Sequence, residues 1–213
     1  MRDRVEPDHL VVAARSLAEG AAWLRERTGA TSLRGGAHAA MGTHNMLVGL
    51  GPRFYLELIA IDPSAPLPPR PRWFDLDDPG MRAALAEQPA LIHWVTRSRS
   101  IEATAARCTT DLGTIVPMER GEYRWRITLP DDGHLPRRGL VPTQIEWSGT
   151  RHPADRLPDS GIRLVALAAE HPDPSPVRAA LASLGLSDTL KVTYGRFPRL
   201  AAMLRTPRGM ITL

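Results

Sequence analysis

Several things are scarce in this chain of 213 residues, and each scarcity excludes a class of protein. There is one cysteine, Cys108, so the chain can build neither an internal disulfide nor a thiolate metal site. That thiol reads as a small residue filling a helix face. No apolar run approaches the roughly 20 residues needed to cross a bilayer, and the opening "MRDRVEPDHL" lacks the apolar core of a signal peptide. The expectation is a cytoplasmic chain with no membrane partner. Lysine occurs once, at Lys191, and the 27 basic residues outnumber the 23 acidic ones only slightly, giving a formal charge of +4. No arginine run interleaves with aromatics, which speaks against a nucleic-acid partner. Hydrophobic residues at 43% and charged residues at 23% are ordinary for a chain that folds around a core. The length suits one compact unit, or small modules sharing a core.

From His9, "HLVVAA" reads as a short apolar strand, and Ser16 caps a stretch whose Leu17, Ala21 and Leu24 recur at helical spacing until Gly29. A short strand near residues 31–33, a glycine-rich turn at "RGGAH", a strand at "HNMLVGL", a "GPR" hairpin turn and the strand "FYLELIAI" follow. Residues 1–62 thus form a first β-α-β-β-β module. Pro63, Pro66, Pro68, Pro69 and Pro71 forbid helix interior and central strand alike, so residues 63–89 are an extended connector ending in a short helix at "DPGMRAALAEQ".

An offset of 84 positions carries His9 onto His93, and with it Val11, Arg15, Ser16, Ala21, Ala22 and Gly29 onto identical residues. Residues 90–150 therefore read as a second copy, with strands at "EYRWRITL" and "PTQIEWS". Residues 151–213 give strand, helix and three strands again, a third and diverged unit judged by element order alone. It is expected to cover one side of a cleft or to form a subunit contact.

Each of the first two units has a histidine in its first strand and a glutamate in its last: His9 with Glu57, and His93 with Glu146. Alternation puts Tyr55, Glu57 and Ile59 on one strand face, and Gln144, Glu146 and Ser148 on what reads as the equivalent face. A glutamate within "YLELIAI" is costly to bury unless it is paired or bound to metal. Two imidazoles and two carboxylates suit a divalent cation such as Zn²⁺, Ni²⁺, Co²⁺ or Mn²⁺. His44 and Asn45 are positioned to bind polar groups of a substrate, Arg97 shares strand parity with His93 and could clamp a substrate carboxylate, and His38 reads as a solvent-facing loop residue. Trp94 and Trp147 read as core packing.

The phrases "DHLVVA" at 8–13, "GTHN" at 42–45, "YLELIAID" at 55–62, "SGIRLVAL" at 160–167 and "TPRGMITL" at 206–213 resemble, in this order, the glyoxalase-like domain branch of the vicinal oxygen chelate superfamily. The resemblance covers nearly the whole chain. It implies an α+β fold in which paired modules curl into a half-barrel cleft. The ligand order of bacterial-type glyoxalase I and methylmalonyl-CoA epimerase falls here on His9, Glu57, His93 and Glu146, with Glu146 free to leave the metal and act as base. The implied activity is that of a metal-dependent lyase or isomerase acting on a small oxygenated substrate through an enediolate-type intermediate. Two alternatives stand beside it: a metal-free small-molecule binding protein of the same superfamily, and an Fe²⁺ extradiol dioxygenase needing only two histidines and one carboxylate. The partners implied are a small molecule and, as often in the superfamily, a second copy in a homodimer.

Overall fold

The computed structural model describes residues 4–213; residues 1–3, which begin the segment read as lacking a signal-peptide core, lie outside the described residues. Strand β1 (Glu6–Ala13) leads to helix α1 (Leu17–Thr28), where Ser16 accepts a hydrogen bond from the Glu19 amide at the start and Gly29 turns left-handed at the end. Strands β2 (Leu33–His38), β3 (Thr43–Gly51) and β4 (Phe54–Ile61) follow. The "RGGAH" stretch expected as a turn is therefore strand. Its glycines serve close approach: a Cβ at Gly35 would meet Asn45 Oδ1 at 2.1 Å, and one at Gly36 would meet Arg120 Cδ at 2.9 Å. After the proline-dense connector come α2 (Pro79–Glu87), β5 (Ala90–Arg97), α3 (Ile101–Arg107), β6 (Thr114–Arg120), β7 (Tyr123–Leu129) and β8 (Thr143–Trp147). No helix among the described residues is long and apolar enough to cross a membrane.

These eight strands form one curled sheet in the order β2-β3-β4-β1-β5-β8-β7-β6, the half-barrel of an α+β fold. Parallel β1–β4 and β5–β8 pairs flank an antiparallel β1–β5 pair, in which His9 lies opposite Val95 and Val11 opposite His93. Each central strand carries one extra residue in this pairing, Asp8 on β1 and Ile92 on β5. Such bulges re-aim side chains locally. The sheet curls until its edges, β2 and β6, come together, with the Arg120 stem lying against Gly36.

The concave face presents Val11, Ile59, Val95, Ile127 and Ile145, and the connector folds over it, burying Trp73, Phe74 and Leu76 there. The last elements are β9 (Arg163–His171), α4 (Pro174–Leu184), β10 (Leu190–Tyr194), β11 (Arg199–Thr206) and β12 (Gly209–Thr212). They keep the expected element order, yet pair as β10-β9-β11-β12, with β9 parallel to the strand after its helix rather than to the last strand. This sheet sets Leu167, Val192, Leu200 and Leu204 against Leu10, Leu56, Leu58 and Trp94 on the convex side of the half-barrel. The C-terminal sheet thus backs the half-barrel instead of bordering its cleft.

Candidate functional site

Glu57 faces the concave side because β4 alternates, and its neighbours in the parallel β1–β4 pair are Val11 directly and His9 two residues along. It is 5% exposed, and His9 is 4% exposed. His9 Nε2 lies 3.7 Å from Glu57 Oε2, while Asn45 Nδ2 donates to Glu57 Oε1 at 2.5 Å. Tyr55 stacks on the His9 ring at 4.7 Å, its own hydroxyl pushed well above the ordinary tyrosine range by burial, with Asp8 and Glu57 adding to the effect.

The bulge at Asp8 is what gives His9 its partner. Adjacent strand residues ordinarily point to opposite faces, but here Asp8 Oδ1 accepts from His9 Nδ1 at 2.7 Å. Its other oxygen accepts from Trp147 Nε1 at 3.0 Å and His152 Nε2 at 3.0 Å. Complete burial opposes ionisation, yet the hydrogen bonds from His152 and His9 prevail and hold the carboxyl well below the usual range. An ionised Asp8 can only accept, so His9 Nδ1 carries a proton, and Nε2 is the ring nitrogen directed toward Glu57.

His38 closes the other side. Its Nε2 accepts from Arg120 Nη1 at 3.2 Å, so its Nδ1 donates to Thr43 Oγ1 at 3.1 Å, and burial holds the imidazole down to about 4, against the pull of Glu57. It is neutral at physiological pH. His9, His38, Tyr55, Glu57 and Arg120 line one cavity, walled by Trp73, Phe74, Trp125 and Trp147. Its free interior measures ≈ 20 Å³, about the room one water requires.

Of the four residues expected to converge, only His9 and Glu57 do. His93 donates from Nδ1 to the Gly139 carbonyl at 3.0 Å, and its Nε2 receives the Thr143 amide at 3.2 Å, so both nitrogens are committed. Burial holds it down to about 3. Glu146 points to the opposite face, where it accepts from the Ile101 amide at the start of α3 at 2.8 Å and from Arg126 at 2.6 Å. The face that matches Tyr55 and Glu57 carries Thr143, Ile145 and Trp147 instead: a one-residue slip in register reverses every side chain. Thr143 lies beside Val95 as Glu57 lies beside Val11, so a threonine stands where a second glutamate was expected. Trp147, expected in core packing, lines the cavity. Among the described residues no three of His, Cys, Asp and Glu form a group that could hold a metal ion. Neither the four-ligand centre nor a two-histidine, one-carboxylate iron site fits these positions.

The expected substrate residues divide as well. Asn45 is at the site through Glu57, whereas His44 has the opposite parity and faces Asp62 at 3.8 Å. Arg97 spends its donors on the Pro7 and Arg53 carbonyls and on Glu6 Oε2. His38, expected to face solvent from a loop, is instead 4% exposed at the end of β2; Asp8 and Arg120 went unrecognised in the sequence, although the "GG" beside His38 marks where Asn45 and Arg120 come close. Cys108 is half-buried, its thiol pushed up by burial, in keeping with a packing role.

A family model described as "Glyoxalase-like domain" matches residues 8–185. None of the curated proteins matches the sequence. Among solved structures, a hypothetical protein from Staphylococcus aureus is similar at 12% identity and TM-score 0.59, over 92% of this chain and 88% of that one. Methylmalonyl-CoA epimerase from Mycobacterium tuberculosis is similar at 15% identity and TM-score 0.41, over 68% of this chain and 88% of that one.

Proposed function

The chain belongs to the glyoxalase-like domain family, and on that premise we propose that it is an isomerase- or lyase-type enzyme that moves a proton on a small oxygenated substrate, using His9 and Glu57. The observation that carries this reading is the buried line from Asp8 through His9 to Glu57, at 2.7 and 3.7 Å, at the wall of a cavity. Asp8 orients the imidazole and stabilises the imidazolium that forms when Nε2 takes a proton from carbon next to a carbonyl. The electron pair left on carbon moves to the carbonyl oxygen, giving an enolate-type intermediate. Return of that proton from the imidazolium, directly or relayed through the Glu57 carboxylate, to a carbon of the intermediate completes the isomerisation. The donor set supports no four-ligand metal step, so none is drawn.

The test is solvent-deuterium incorporation into a panel of small α-oxo, α-hydroxy and thioester compounds, followed by proton NMR. Wild-type protein is expected to exchange the α-proton of a panel member, with and without chelator. His9→Gln should lower the rate about 10²-fold or more, Glu57→Gln should lower it strongly, and Glu146→Gln should leave it within about two-fold because that carboxylate lies across the sheet. Wild-type rates in His9→Gln, or no exchange on any compound, would sink the proposal. Binding without exchange would instead favour the binding-protein alternative.

A further inference from the structure

Among the described residues Arg72, Arg97 and Arg120 are well buried or nearly so, and the first two hold a carboxylate. Arg72 Nη1 meets Asp77 Oδ1 at 2.7 Å, and Arg97 Nη2 meets Glu6 Oε2 at 2.7 Å. Arg120 is the exception. It is 9% exposed, and among the described residues no carboxylate pairs with it. Its hydrogen-bond partner is the neutral His38 imidazole, and the Tyr123 ring lies 5.9 Å from its guanidinium. Taking a guanidinium out of water is costly unless an anion repays it. A neutral imidazole and a ring face repay little, and the Glu57 carboxylate, 3.9 Å from the imidazole Nε2, forms no ion pair with the guanidinium.

Its position is equally telling. Arg120 ends β6, one free edge of the curled sheet, and reaches across the seam to His38 at the end of β2, the other edge. There its fork lines the same cavity as His9, Glu57, Trp73 and Trp125. One N–H is engaged with His38, a partner any anion would outcompete.

We propose that Arg120 is the anion-binding residue of this cavity, and that its ligand is the carboxylate of a small α-oxo or α-hydroxy acid. The carboxylate half of this statement stands on Arg120; the α-oxo or α-hydroxy half rests on the proton-transfer reading above. A planar carboxylate matches the guanidinium fork in a bidentate pair. A single negative charge is favoured over a phosphate dianion, because the Glu57 carboxylate lines the same cavity. The free interior has room for about one water, so entry of a carboxylate requires the Trp73 or Phe74 ring to swing aside, and the flat aromatic walls favour a compact group.

Titration of wild-type protein with pyruvate and lactate, and with the uncharged pyruvamide and lactamide, tests this through quenching of the cavity tryptophans and through calorimetry. The acids are expected to bind at least ten-fold more tightly than the amides. Arg120→Gln should abolish that preference, and Arg120→Lys should retain only part of it, with circular dichroism verifying the fold. Equal affinity of acid and amide for wild-type protein, no binding of either acid, or an undiminished preference in Arg120→Gln overturns the proposal. The acid-to-amide comparison in wild-type protein decides even if the variants fail to fold. Acid-selective binding lost in Arg120→Gln, without deuterium exchange, would leave the carboxylate half of this proposal standing while the proton-transfer reading fails; exchange that is equally fast on acids and amides would do the reverse.

Discussion

Histidine does three different jobs here, and what surrounds each ring decides which. His9 has an ionised carboxylate behind it and a cavity in front; His38 and His93 are buried and neutral, held down to about 4 and about 3 by desolvation. For the latter two the folded pKa lies below the unfolded value of about 6.5. Their contribution to stability is therefore fully present above pH 6.5, and is lost as pH falls through the folded values, because the unfolded chain takes up protons that the folded one refuses. Unfolding free energies from urea titrations should fall between pH 6.5 and pH 4 with a slope of up to about 1.4 kcal/mol per pH unit for each histidine. His93→Gln should be less stable at pH 7 yet visibly flatter over that interval; an equal slope would show that His93 does not titrate as its burial requires. Glu57 was legible from sequence because a carboxylate in "YLELIAI" has few ways to be tolerated. Arg120 was not, because its partner lies 82 residues away and nothing local sets it apart from the chain's other arginines.

Among the elements, the connector differs most from its sequence reading. Its prolines do prevent regular structure, but the segment is more than a spacer: it delivers Trp73 and Phe74 into the concave face. Phe74 and Asp75 sit at φ 62° and 58°, left-handed values that cost a non-glycine residue on the order of 1–2 kcal/mol each. Anchors on the facing segment hold them there. The Asp75 amide donates to the Gly133 carbonyl at 3.0 Å, and its carboxylate accepts from His134 Nδ1 at 2.5 Å and from the Leu135 amide at 3.2 Å. Removing that carboxylate in Asp75→Ala should destabilise the protein by about 1–3 kcal/mol. Amide hydrogens of residues 62–78 should then exchange faster while those of β1 and β5 stay protected, as hydrogen-exchange mass spectrometry would show; uniform loss of protection would mean that the strap is not a separately opening unit. Strand β2 carries the same lesson. Glycines that signal a turn in isolation mark here a strand against which Asn45 and Arg120 are pressed.

Across the whole molecule, the half-barrel has two faces with different tasks. The concave face holds the site, while the convex face of β1, β4 and β5 is apolar and needs a cover, which the C-terminal sheet supplies. Adjacent residues on β11 test this division. Leu204 is fully buried between the sheets, whereas Met203 is 43% exposed on the outer face. Leu204→Asp is expected to leave the chain largely unfolded or insoluble, since it buries an unpaired charge. Met203→Asp should shift stability by no more than about 0.5 kcal/mol in urea unfolding. Similar behaviour of the two variants would refute the sheet-on-sheet packing.

The sequence by itself determined the alternation of apolar segments, the helix caps at Ser16 and Gly29, the disruption of residues 62–71 by proline and the correspondence of His9 with His93, all of which act through neighbours along the chain. Only the tertiary structure decided which of these residues share a site. Strand parity does not say which face of a curled sheet is concave, so Glu146 could be placed beside Glu57 on paper while it caps a helix in the fold. The bulges on β1 and β5 are likewise features of pairing between strands. One turns Asp8 toward His9, and its counterpart places Ile92 beside His93, so two similar lines of sequence yield one histidine backed by a carboxylate at a cavity and one tied to backbone groups.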